Sequence, residues 1–209
     1  MAKQFSFDQV GSKHKYSHGG ALRRLSGGRG VRPLACKLPL HVVFKINRSR
    51  LKRRSLRSNQ SFRLIHKIVR NYAKMFFVKV EQITIQPDHL HLLIRTSRRS
   101  LFHHFFRVVA GQIAQQFLKW GLSFEKTERW PKARVTGTPN QGLNMKYPER
   151  SEDFWKFRPF SRVVKGYKAY QIIKDYIQLN EQEVTGVIKY SKLRLRGLSS
   201  AEWNLLWAK

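Results

Sequence analysis

Acidic residues are scarce in this chain. Its 209 residues hold 12 Asp and Glu against 42 Lys and Arg, a formal charge of +30. A site built on three carboxylates therefore has little to draw on. Five of the 12 acids (Glu125, Glu128, Glu149, Glu152, Asp153) crowd one stretch. The single cysteine, Cys36, excludes an internal disulfide framework and a cysteine-rich zinc site. No long apolar run or lipidation signal is present, so no membrane association is expected. Met1 to Gly20 mixes Lys, His and Gly and has no apolar signal-peptide core. There is no Walker-type glycine-rich loop and no internal repeat. What is abundant is positive charge. Self-repulsion of that size opposes compaction unless a polyanion neutralises it, so nucleic acid is the default partner. Hydrophobic residues make up 41%, enough for one core with extended ends. The expectation is a soluble intracellular protein.

The charge is uneven. Residues 1–60 hold 15 Lys or Arg and one acid, Asp8. Gly11 to Arg32 is rich in Gly, Ser, Arg and Lys and shows neither a helical nor a strand period, so residues 1–32 read as a mobile basic arm. Order is expected from Pro33. Leu38 to Ile46 reads as a strand. Arg48, Arg50, Lys52, Arg53, Arg54 and Arg57 then form a basic loop suited to phosphates. Phe62 to Phe76 has helical apolar spacing, and Phe77 to Ile85 is closer to strand alternation. Gln86-Pro87-Asp88 is a turn, and His89 to Thr96 reads as the returning strand of a hairpin. A second helix is expected from Ser100, as N-cap, to about Trp120. Residues 121–152 form a long connection. Phe160 to Val164 reads as a short strand and Lys168 to Glu183 as a third helix. Residues 33–183 then hold one domain, with 184–209 a basic and aromatic extension. The order strand, helix, strand, strand, helix, strand, helix resembles the split βαβ arrangement of ferredoxin-like folds. This is an α+β class, with an antiparallel sheet backed by helices.

Two small constellations carry chemistry. On a strand, His89 and His91 point to the same face, so both imidazoles can reach one metal while Leu90 enters the core. By itself the pattern more often marks ordinary surface or core histidines. On the third helix, Tyr176 and Asn180 are four apart and share a face. An activated tyrosine hydroxyl is a covalent nucleophile, and an amide carbonyl is a reasonable third ligand beside two imidazoles. Taken alone, Tyr176 reads as part of the apolar stripe and Asn180 as the helix end. Tyr167, with Gln171 four residues on, is the stronger rival nucleophile, ahead of Tyr170.

The two constellations together carry a resemblance. Gln86-Pro87-Asp88-His89-Leu90-His91-Leu92-Leu93-Ile94 resembles the His-hydrophobic-His signature of the single-tyrosine (HUH) transposases. Asp175-Tyr176-Ile177-Gln178-Leu179-Asn180 resembles their nucleophile helix, and Leu40-His41-Val42-Val43-Phe44 looks like their first strand. Across 32–183 the chain is most similar to the REP-associated tyrosine transposases. The resemblance implies that His89, His91 and Asn180 bind Mg²⁺ or Mn²⁺. It implies that Tyr176 attacks a phosphodiester of single-stranded, hairpin-bearing DNA, giving a 5′-phosphotyrosine link and a free 3′-hydroxyl. Such a link conserves bond energy, so a second 3′-hydroxyl can rejoin the strand without ATP. Members can donate the tyrosine helix between two copies of the chain, so a homodimer is among the expected partners, and the implied location is the cytoplasm, on the nucleoid.

Where the family commonly has Asn-Pro, Asn180 is followed by Glu181-Gln182-Glu183, so this helix is expected to run on. The best phosphate contacts are the six basic residues of the loop from Arg48 to Arg57, with Arg95, Arg98 and Arg99. Phe154, Trp155, Trp130 and Tyr147 suit base stacking, although packing is expected for at least half of them. The alternatives are a ferredoxin-like nucleic-acid-binding protein without catalysis and a three-carboxylate nuclease. The RNP-type aromatic pattern of the first is not evident, and the acids for the second are few.

Overall fold

The computed structural model describes residues 16–24, 32–52, 55–123 and 153–208. Arg53, Arg54, Trp130, Tyr147, most of the connection and most of the basic arm lie outside the described residues. Five strands form one antiparallel sheet: β1 (Ser17–His18), β2 (Leu40–Lys45), β3 (Val78–Ile85), β4 (His89–Thr96) and β5 (Phe160–Val163). The helices are α1 (Asn59–Met75), α2 (Arg99–Lys119), α3 (Tyr167–Thr185) and α4 (Ser200–Leu206). The sheet order is β1-β5-β2-β4-β3. Without β1 this is the strand order of a split βαβ fold, as the sequence suggests.

Side-chain alternation divides the sheet into two faces. Leu40, Val42 and Phe44 of β2 join Leu90, Leu92 and Ile94 of β4 in the main core with α1 and α2. The opposite parity of β4 places His89, His91 and Leu93 on the other face. There Leu93 packs with Val164 and Ile177, under α3. In β3 the apolar parity changes from Val78 and Val80 to Ile83 and Ile85. The pairing Val80↔Ile94 followed by Gln82↔Leu93 shows why: a bulge at Glu81 inserts one residue and keeps both halves on the core face.

Capping explains several boundaries. The Ser58 side chain accepts from the Ser61 amide and starts α1. Helix α2 begins one residue before its expected N-cap. Arg98 occupies that position without a side-chain cap, and Ser100 lies in the first turn. Its register is set by packing, because Phe102, Phe105, Val109, Ile113 and Phe117 are all fully buried. Each such phenylalanine contributes about 1.5–3 kcal/mol, more than the ~1 kcal/mol of a typical cap. Helix α3 runs five residues past Asn180 to Thr185, as the absence of proline after Asn180 predicts. Gly186 ends it in the left-handed region at φ +80°, where a side chain is strained.

Two elements depart from the sequence reading. Ser17–His18 pairs with β5, and Gly20–Arg24 forms a 3₁₀ turn, so part of the basic arm belongs to the sheet. The C-terminal extension also folds back. Ile188 and Leu206 are buried with Leu179 of α3, and a capping box at Ser199 and Glu202 starts α4. Phe154 and Trp155 pack in the core, with the Trp155 indole donating to the Ala110 carbonyl at 3.0 Å. Among the described residues, no helix is long and apolar enough to cross a membrane.

Candidate active site

The hairpin joining β3 and β4 presents the histidines. Its turn closes with the Gln86 amide on the His89 carbonyl at 2.7 Å. His89 and His91 then sit on one face with ring centroids 4.7 Å apart. His89 Nδ1 is 2.6 Å from the Asp88 carboxylate, which leaves its Nε2 for another partner. That bond is the largest influence holding Asp88 down at about 2, against the opposing effect of burial, with help from the charges of His89, Lys45 and Arg48.

His91 is buried, and its Nδ1 lies 3.0 Å from Nε2 of His41 on β2. Its own Nε2 is buried with no hydrogen-bond partner. Burial, then the charges of His41, His89 and Arg194, keep His91 well below its usual range and therefore neutral. A neutral ring with an orphaned nitrogen beside a second imidazole fits a divalent cation. Among the described residues, no group of three or more His, Cys, Asp or Glu side chains could hold a metal ion.

Helix α3 lies across this face, and the sheet sets its position. Thr84 donates its hydroxyl to the Ile177 carbonyl at 3.1 Å, and the Gln86 amide donates to the Asn180 carbonyl. Gln82 donates to Gln178 at 3.3 Å. Arg57 holds Glu181 at 2.8 Å and also donates to the Ile85 carbonyl. With the helix so anchored, the Tyr176 ring stands edge-on to His91 at 5.8 Å. Tyr167, the rival, is 76% exposed in the first turn and accepts from Gln171. It lies nine residues before Tyr176, which at 100° per residue is the opposite side of the helix.

Asn180 is buried one turn beyond Tyr176. Its side-chain oxygen accepts from Arg194, and its side-chain nitrogen is buried without a partner. A flipped amide would oppose donor to donor, so the oxygen belongs on Arg194. Arg194 also donates to both oxygens of Glu183 at 2.7 Å, and its guanidinium lies over the Tyr176 ring at 5.2 Å. Its backbone sits in the left-handed region at φ +55°. That strain of order 1–3 kcal/mol is offset by the bonds its side chain makes.

His89, His91, Tyr176 and Asn180 thus form one cluster. His41 and Arg194 complete it without a sequence signal, because one needs the strand register and the other the folded-back C-terminus. The basic residues divide. Arg48 is exposed 3.7 Å from Asp88, and Lys52, Arg98 and Arg99 are exposed. Arg57 is committed to Glu181. Arg95 pairs with Glu81 and lies over the Tyr170 ring at 5.3 Å.

The comparisons with known proteins concern the same region. Residues 35–134 match the family model described as Transposase IS200 like. No curated protein matches. Among solved structures, the chain is similar to one described as a REP-associated tyrosine transposase bound to a REP hairpin. The identity is 12%, the match covers 78% of this chain and 76% of that one, and the TM-score is 0.48. A putative transposase from Deinococcus radiodurans is similar at 15% identity over 74% of this chain and 98% of that one, with a TM-score of 0.40. The family match takes in β2 to α2 with His89 and His91, so the similarity to IS200-like transposases covers just under half of the chain.

Proposed function

We propose that this chain cleaves and rejoins single-stranded, hairpin-bearing DNA through a covalent link to Tyr176, with Mg²⁺ or Mn²⁺ held by His89, His91 and Asn180. The observation that carries this reading is the buried, partnerless Nε2 of His91, on a ring whose centroid is 5.8 Å from that of Tyr176. A bound cation supplies polarisation of the scissile phosphate and stabilises its charge in the transition state. The Tyr176 oxygen forms the new bond to phosphorus, and the bond from phosphorus to the 3′-oxygen breaks. Tyrosine loses its proton and the 3′-oxygen takes one up, so the step needs no oxidant and no nucleotide. Asp88 orients His89 by its hydrogen bond, and Thr84 and Gln86 hold the helix that aims Tyr176. In this arrangement Tyr176 meets His91 within one chain. Arg48, Arg50, Lys52, Arg53, Arg54, Arg57, Arg95, Arg98 and Arg99 remain the proposed DNA contacts. Of these, Arg57 and Arg95 reach DNA only by sharing their acidic partners.

One observation favours a second reading, a nucleic-acid-binding protein without cleavage. Arg194 takes the Asn180 oxygen and lies over the tyrosine ring. A cleavage assay separates the two. With labelled single-stranded hairpins and Mn²⁺, the first reading expects nicked product from the wild type and none from Tyr176→Phe or His89→Ala. Tight binding with no nick from the wild type would establish the second.

A further inference from the structure

His41 lies in the middle of β2, buried, and makes its one ring-to-ring hydrogen bond with a proposed metal ligand. We propose that His41 is a positioning residue of this site, holding His91 in the tautomer whose Nε2 lone pair faces the cation. The inference rests on the reading of His89 and His91 as metal ligands.

Val43 pairs with His91 and His41 with Leu93, so His41 is the diagonal neighbour of His91 on the same face. The two rings lie edge to edge and nearly coplanar, with centroids 5.2 Å apart and planes 9° apart, and His41 Nε2 is 3.0 Å from His91 Nδ1. Phe160 closes on His41 edge-on at 6.3 Å, and the residue is 6% exposed. The ring is therefore held where it is.

A neutral imidazole carries one N–H. The bond between these two nitrogens holds one hydrogen, so two arrangements exist. In the first, His91 Nδ1–H donates to His41 Nε2, His41 keeps its own hydrogen on Nδ1, and His91 Nε2 is bare. In the second, His41 donates, and the hydrogen of His91 sits on Nε2, where it blocks ligation. Only the first leaves a lone pair at the nitrogen that is buried without a partner. The protons of both rings move together, so a cation on His91 Nε2 also fixes the tautomer of His41, which does not touch it. Hydrogen bonds to the outer nitrogen of a ligating histidine commonly matter by 10- to 100-fold in affinity.

The test uses the full chain and Mn²⁺ binding followed by electron paramagnetic resonance. The wild type is compared with His41→Leu, which removes the acceptor, and His41→Gln, whose amide oxygen replaces it. The expected result is roughly 10- to 100-fold weaker binding in His41→Leu and recovery to within about threefold in His41→Gln. Equal Mn²⁺ affinity in a folded His41→Leu would overturn the positioning role and leave the ligands in place. If the wild type binds no Mn²⁺ that His89→Ala removes, the metal-site reading fails and takes this inference with it. A wild-type measurement guards against a variant that does not fold. In nitrogen-15 spectra with Mg²⁺ bound, His41 is expected to carry its proton on Nδ1. A proton on His41 Nε2 would overturn the proposal.

Discussion

Two hydrogen-bonded imidazoles in a protein interior are kept neutral, and that has a cost at low pH. Burial first, then the charges of Arg162 and His89, push His41 down to about 4. His91 is held low by burial and by the charges around it. In the unfolded chain both rings take up protons near pH 6.5. Below that pH the unfolded state binds more protons than the folded one, so stability is complete above about 6.5 and falls as the pH drops toward about 4. Each pH unit in that window removes up to ~1.4 kcal/mol per ring. Urea midpoints measured in chelator at pH 7 and pH 5 should therefore fall for the wild type and fall less for His41→Leu. Equal falls would place the loss elsewhere. The residues that the sequence makes visible are those with local spacing. His89 and His91 are two apart on a strand, and Tyr176 and Asn180 are four apart on a helix, so each pair can be placed without the fold. His41 is separated from His91 by 50 residues, and only the strand register brings them together. Arg194 reaches Asn180 only because the chain turns back after Gly186.

At the scale of the element, the helices and strands follow apolar periodicity, and their ends follow caps. Helix α1 ends badly. Phe77 is held at φ +50° and is 78% exposed, so a bulky side chain occupies a left-handed position and packs little. Phe77→Asn should stabilise the protein by up to about 1 kcal/mol, because Asn tolerates that conformation at lower cost. A melting temperature raised by a few degrees confirms it, and a lowered one means that Phe77 packs against something that holds it. The same reasoning shows where local signals fail. The N-cap of α2 is not the available serine, since a row of buried phenylalanines fixes the register more strongly than one hydroxyl. The bulge at Glu81 is written in the parity change from Val80 to Ile83, which a test for strict alternation blurs. Helix α4 carries a readable capping box at Ser199 and Glu202. Strand β1 is two residues long, and pairing with β5 makes it a strand.

At the scale of the whole molecule, charge is the dominant fact. The order of the four main strands and three long helices is legible because each carries its own period, whereas the added edge strand and the packed C-terminus depend on tertiary contacts. The excess of +30 suits a polyanionic partner such as the DNA proposed above. Binding to single-stranded DNA should weaken steeply with salt, by a slope of roughly 0.7 in log affinity per log salt for each phosphate contacted. Replacing exposed Arg98 and Arg99 with serine should lower that slope by about 1.4. An unchanged slope would remove both from the interface.

The central claim is that Tyr176 becomes covalently joined to DNA, and mass spectrometry of a trapped adduct tests it most directly. The protein would be incubated with a single-stranded hairpin pool and Mn²⁺, denatured, and digested with trypsin and nuclease. Peptide 175–189 contains Tyr176 as its only tyrosine. A nucleotide mass on that peptide is expected, dependent on metal and absent from His89→Ala. A nucleotide on Tyr167 or Tyr170, or a cleaved strand with no modified tyrosine, would contradict it.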